Sequence, residues 1–181
     1  MSRKRPVRLV LVLPLLATLL AACASNPAGP SVQYLLPGAA QSALRGELPD
    51  IRLDTAGYLD QSGVVMQTSA VEVRAARQHQ WAEPLPRQLA RSLAARLARA
   101  GVVAPGRLEV LVTRFQGTAE GEAVIEGQWR FLGDQGDRAG THFLERRPLR
   151  RDGYPALVEQ LDEGWNAVAD DIANGLTGAT R

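Results

Sequence analysis

The chain of 181 residues carries 21 basic and 19 acidic side chains and a single cysteine. Residues 1–22 hold four of the basic groups and none of the acidic ones, which leaves 17 basic against 19 acidic groups from Cys23 onward. That near balance excludes charge-driven binding to nucleic acid or an anionic surface, and one cysteine excludes an internal disulfide framework.

The N-terminus opens with Arg3, Lys4, Arg5 and Arg8, followed by the uncharged run "VLPLLATLLAA". That run is too short to remain as a membrane span, and small residues close it, which is the layout of a secretory signal peptide over residues 1–22. Leu20, Ala21, Ala22 and Cys23 resemble a bacterial lipobox. In such a motif the cysteine receives a diacylglyceryl group and becomes the new N-terminus. One acyl chain holds a protein to a membrane marginally, whereas two or more hold it stably. Ala24 stands where Asp would favour retention in the inner membrane, so the expected location is the periplasmic face of the outer membrane. Residues 23–31 read as the lipidated cysteine and a flexible tether, and 32–181 as one periplasmic domain. Eight tether residues reach at most about 26 Å, so the body is expected to hang close beneath the membrane.

In chain order, Val32–Leu36 and Ile51–Leu59 read as strands, and 64–77 as two short strands or one bent one. Leu85, Leu89, Leu93 and Leu97 then form one stripe of a helix that ends at Gly101. Strands are expected at Leu108–Phe115, Ala123–Leu132 and Thr141–Arg147, joined by the turn chemistry of "GTAEGE" and "GDQGDRAG". An amphipathic helix over Pro155–Leu176 closes the chain, with Leu157, Leu161, Trp165, Val168, Ile172 and Leu176 on one face. The implied class is α+β, a mainly antiparallel sheet with two amphipathic helices packed on one face.

No nucleophile elbow or zinc-binding helix motif is present. His79 reads as a surface residue or one leading into the helix, and His142 as a solvated strand residue. Asp134 and Asp137 lack the ligand spacing of a calcium loop. Glu120, Glu122 and Glu126 fit a solvated hairpin. Arg146, Arg147, Arg150 and Arg151 fit a solvated loop, with a phosphate grip as the sharper alternative. The expectation is a protein that is no enzyme and needs no metal or cofactor. A less bland pattern is the charge of the two helices. Arg87, Arg91, Arg96 and Arg99 meet no acidic residue on the first, and Glu159, Asp162, Glu163, Asp170 and Asp171 meet no basic residue on the second. Either the two flanks neutralise each other within one molecule, or they face outward. In the second case Arg87, Arg91, Arg99, Asp162, Glu163 and Asp170 form an interface for a homo-oligomer or another partner.

Two motifs carry more than fold information: Tyr58-Leu59-Asp60 and Trp81-Ala82-Glu83-Pro84-Leu85. With "QYLLP" before them and "ALVEQLDEGWNAVADDIA" after, the chain resembles the ABC-type transport auxiliary lipoproteins, a PqiC-like family. It departs from the family pattern at Thr55-Ala56, Gln61-Ser62 and Gln80. The resemblance implies an outer-membrane-anchored accessory subunit of an MCE-domain lipid transport system, partnered by a periplasmic MCE protein. An envelope-assembly lipoprotein acting on outer-membrane proteins or peptidoglycan, and a lipid-active periplasmic enzyme, are the alternative readings. Within the motifs, Trp81 is expected to bury a large apolar face and Pro84 to preset the helix start. Glu83 is placed to interact with the helix dipole, and Asp60 to fix a turn through backbone hydrogen bonds; direct partner contact is the other role these residues would serve.

The chain is expected to incorporate radiolabelled palmitate when expressed in a lipoprotein-processing host. Cys23→Ala is expected to abolish incorporation and release the protein from the outer-membrane fraction; retention there by the variant would contradict the anchor.

Overall fold

The computed structural model describes residues 30–40, 48–133 and 136–178, without the side chains of 40 and 136–140. Seven strands and two α-helices follow in the order β1 (Val32–Tyr34), β2 (Asp50–Thr55), β3 (Gly63–Gln67), β4 (Val73–Trp81), α1 (Leu85–Arg99), β5 (Gly106–Thr118), β6 (Glu122–Gly133), β7 (Gly136–Pro148) and α2 (Tyr154–Gly178). Short 3-10 turns occupy Pro37–Ala40 and Gly57–Leu59.

The strands form one sheet in the order β1-β4-β3-β5-β6-β7, with β2 beside β5. β5 is the hub. From Gly106 to Gly117 it pairs antiparallel with β6, broken once at Thr113, while β2 and β3 run parallel to it, one after the other, along the opposite edge. β2 lies against Arg107–Val112 and β3 against Gly117 and Thr118. The longest ladders are antiparallel, as turn-linked strands require, but β1/β4, β2/β5 and β3/β5 are parallel. Both helices lie on one face, in keeping with the α+β class.

Several elements differ from the sequence expectation. The first strand stops at Tyr34, because Leu36 turns inward to complete burial. The second stops at Thr55, where the chain leaves the sheet as a 3-10 turn. β4 continues past Arg77 to Trp81, so His79 is a strand residue rather than part of the approach to a helix. β5, β6 and β7 each exceed the predicted span, since hydrogen-bond pairing persists through polar residues that carry no hydrophobic signal.

α1 forms because Leu85, Leu89, Leu93 and Leu97 recur on one face, all buried. Pro84 precedes it, its carbonyl accepting from the Arg87 amide at 3.0 Å, and Pro86 sits in the first turn, where a missing N–H costs nothing. Its C-terminus is a Schellman cap: Val102 N–H reaches the Leu97 carbonyl and Gly101 N–H the Ala98 carbonyl, both at 3.1 Å. Gly101 has φ +68°, which is why glycine ends this helix. α2 buries Leu157, Leu161, Trp165, Val168, Ile172 and Leu176. Trp165 has no exposed surface, and its indole N–H donates to the Leu89 carbonyl of α1 at 3.1 Å. One contact thus supplies apolar burial and a satisfied polar handle between the helices.

Polar side chains also face inward. Gln88, fully buried on α1, accepts from Leu36 N–H at 2.8 Å through Oε1 and donates to the Glu83 carbonyl at 3.0 Å through Nε2. One amide therefore ties the segment after β1 to the start of α1. Gln88→Leu keeps the volume but orphans the buried Leu36 amide. It is expected to lower the unfolding free energy by about 1–3 kcal/mol, read as a lower urea midpoint.

Candidate functional site

The Tyr58-Leu59-Asp60 motif lies where β2 and β3 part along β5. At that point β5 carries a bulge: Val112 faces Gly127 and Arg114 faces Glu126, so Thr113 is an extra residue. A bulge disrupts the ladder and leaves backbone groups seeking partners. The excursion between β2 and β3 supplies them. Ala56 N–H donates to the Val112 carbonyl at 2.9 Å, and Tyr58 Oη lies 2.9 Å from the Thr113 carbonyl and 2.7 Å from Gln116 Oε1. Burial pushes the Tyr58 phenol above its ordinary value, opposed by Arg114. Leu59 is buried in the core. Asp60 does close the turn, but its carboxylate accepts from the Thr55 hydroxyl at 2.8 Å rather than from backbone amides.

From Tyr58 the hydrogen bonds continue across the polar face of the sheet. Gln116 Nε2 and Arg114 Nη2 both donate to Gln67 Oε1, at 2.9 and 2.7 Å. Arg114 pairs with Glu126 at 3.3 Å, and Glu126 meets His142 Nε2 at 3.2 Å. Gln67, Thr113, Arg114 and Gln116 do not stand out in the sequence, since a bulge leaves no mark in hydrophobic periodicity. Beside this chain of bonds a groove of about 630 Å³ is lined in part by Arg52, Asp54, Glu109, Gln128 and Arg130, with Arg130 and Glu109 paired at 2.5 Å.

The second motif has structural contacts throughout. The Trp81 ring packs on Phe115 at 6.0 Å, and Leu85 is buried at the start of α1. Both oxygens of Glu83 are held by the Arg91 guanidinium, which keeps this carboxyl below its usual range. His79 is stacked on Tyr154 at 4.1 Å, and its Nδ1 lies 2.9 Å from the Tyr34 hydroxyl.

Among the described ion pairs, the charges of the two helices meet each other at one point, and arginines of β7 and the loop after it reach further carboxylates of α2. Arg96 and Asp170 pair across the helices at 2.5 Å, Arg150 reaches Glu163 at 3.0 Å, and Arg151 reaches Glu159 at 2.5 Å. Arg147 lies near Glu145 and Glu163, and Arg146 near Glu122. The arginines that would grip a phosphate thus each stand beside a carboxylate. Arg87 and Arg99 are exposed on α1. Asp162 departs from the expectation of an exposed flank. It is 7% exposed, because the Pro37–Ala40 turn packs over it and Gly38 N–H donates to its Oδ1 at 2.9 Å.

No group of three or more His, Cys, Asp or Glu side chains spaced for a metal occurs among the described residues. Cys23, Leu20, Ala21, Ala22 and Asp134 lie outside the described residues, as does the side chain of Asp137.

Residues 34–173 match the family described as ABC-type transport auxiliary lipoprotein component. The chain belongs to this family. It is 34% identical to the intermembrane transport lipoprotein PqiC of Escherichia coli (strain K12) over 129 residues, 66% of this chain and 68% of that protein. The Shigella flexneri protein of the same name aligns equally well. Among solved structures, an uncharacterized protein superposes with a TM-score of 0.72 at 30% identity, over 81% of this chain and 98% of that one. The Xanthomonas campestris protein XCC0632 superposes with a TM-score of 0.66 at 21% identity, over 86% and 91% of the two chains, a likeness of fold.

Tyr58→Phe removes the hydroxyl that serves Thr113 and Gln116. It is expected to lower stability by about 1 kcal/mol, seen as a lower urea midpoint at unchanged slope. Unchanged stability would assign Tyr58 to partner contact instead of the bulge.

Proposed function

We propose that this protein is a lipid-anchored auxiliary subunit of an MCE-type intermembrane lipid transport system, held at the periplasmic face of the outer membrane, where it docks the system's periplasmic MCE partner. The observation that carries this reading is family membership over residues 34–173, joined to relatives whose name is intermembrane transport lipoprotein. The lipobox-like quartet ending at Cys23 supports attachment, and its place some eight residues before the body supports a position close under the membrane. No helix among the described residues is long and apolar enough to cross a membrane, so attachment rests on the cysteine in this reading. The internally matched charges and the structural contacts of both motifs support an accessory role, without chemistry of its own.

Crosslinking in intact envelopes, followed by capture of this protein and mass spectrometry, tests the partner. An MCE-domain protein is expected as the dominant product. Recovery of outer-membrane assembly factors or peptidoglycan enzymes in its place would favour the envelope-assembly reading.

A further inference from the structure

From Cys23 to Leu44 the chain carries no charged side chain, a longer gap than any that follows. The described part of this stretch begins with the edge strand β1, where Val32 is 48% and Leu35 53% exposed. The backbone that presents them is held at both ends. The Tyr34 carbonyl accepts from Ala82 N–H at 2.9 Å, and Leu36, fully buried, has its amide on Gln88. Val32 lies opposite His79 in the parallel register. The Tyr34 hydroxyl shares a hydrogen bond with His79 Nδ1, and His79 stacks on Tyr154 at the start of α2. Val32, Tyr34, His79 and Tyr154 therefore form one apolar and aromatic rim, with Leu35 where the strand ends. Among the described residues, the other exposed large apolar side chains lie elsewhere: Val71 and Val73 at the far end of β4, Val103 after α1 and Leu144 on the opposite edge strand.

We infer that this rim seats on a phospholipid surface, Val32 and Leu35 entering the boundary between headgroups and acyl chains and the Tyr34 ring lying among the headgroups. The inference rests on the lipid attachment at Cys23 proposed above. Val32 follows Cys23 by nine residues, at most about 30 Å of extended chain. A tether that short makes contact with the surface an intramolecular event, so a small apolar gain suffices. No charge between Cys23 and Leu44 has to be stripped of its water on approach. A tyrosine ring with its hydroxyl is suited to the headgroup level. Depth has a limit set by the strand itself. The outer edge of β1 has no neighbouring strand, and its backbone groups must remain hydrated, so only side chains pass the headgroups. The body is held to the rim through Gln88 and Asp162, which accept the Leu36 and Gly38 amides. Seating the rim therefore fixes which side of the folded body faces the membrane.

Lipidation occupies the sulfur of the chain's single cysteine, so an introduced thiol is unique in the full-length lipidated protein. Leu35→Cys and Val32→Cys, each carrying a polarity-sensitive fluorophore, test the rim in phosphatidylcholine vesicles. Val71→Cys is the reference, because Val71 is 96% exposed beyond the far end of β4. Emission at 32 and 35 is expected to shift to the blue on incorporation. Phospholipids brominated on the acyl chains are expected to quench it several-fold more strongly than at 71. Circular dichroism matching that of the unsubstituted chain checks the fold of each variant. Labels at 32 and 35 that stay as exposed to water as the label at 71, on protein that sediments with the vesicles, would overturn the rim and leave the attachment standing. A blue shift that requires anionic phospholipid would overturn it too, since it marks adsorption by charge. Labelling of the unsubstituted chain would show a free sulfur at Cys23 and remove the attachment on which the rim depends.

Discussion

Buried backbone amides must find partners, and here that requirement falls on the short stretch from Leu36 to Ala39. Leu36 is fully buried, and its amide has left the β1 ladder by the time the side chain turns inward. Gln88 on α1 and Asp162 on α2 each reach across to accept an amide of this stretch. The segment after a three-residue edge strand is therefore held chiefly by the helices. Parallel pairing of Val32–Tyr34 with β4 adds little by itself. The helices in turn depend on each other through Trp165 and the Leu89 carbonyl. Sheet, helix pair and N-terminal segment form a single set of dependencies.

A second constraint acts on the opposite face. The bulge at Thr113 reverses which residues of β5 point inward, so Leu108, Val110 and Val112 are followed by Phe115 on the core side. Such a reversal frees a carbonyl, and Tyr58 meets it. The Tyr58-Leu59-Asp60 motif, placed at this point, spans the gap between two strands that share one edge of β5. Its residue types suit that position, with a long side chain ending in a donor, a buried anchor in Leu59, and an acceptor in Asp60 to close the turn. The ion pairs scattered over the rest of this face are exposed or half-exposed and contribute little each.

Much of this architecture was legible in the residues. The leucine stripe of α1, the glycine at its end, the inward row of β6 and the long closing helix follow from periods of 3.6 and 2. The parallel pairs were not legible, because hairpin chemistry between β5, β6 and β7 says nothing about β2 and β3. Nor was the break after Thr55, which answers a bulge far along the chain. Gln88 and Ser92 escaped notice as polar residues, although each sits three positions beyond a leucine of the stripe and so on the buried face. The helix charges posed a choice between pairing inside the molecule and facing a partner. Arg96 with Asp170 takes the first course, and Asp162 belongs to neither, because the Pro37–Ala40 turn covers it.

Under the proposed function the attachment of the N-terminal segment to its body is central, since a pull through Cys23 would reach the sheet at β1 and then the helices by way of Leu36–Ala39. Force extension of single full-length molecules, with handles on the sulfur of Cys23 and on the C-terminus, measures that attachment directly. The segment is predicted to yield together with the helices and sheet in one cooperative event. A separate early lengthening of about 35 Å, the reach of ten freed residues, at a force that leaves the remaining body folded, would contradict it.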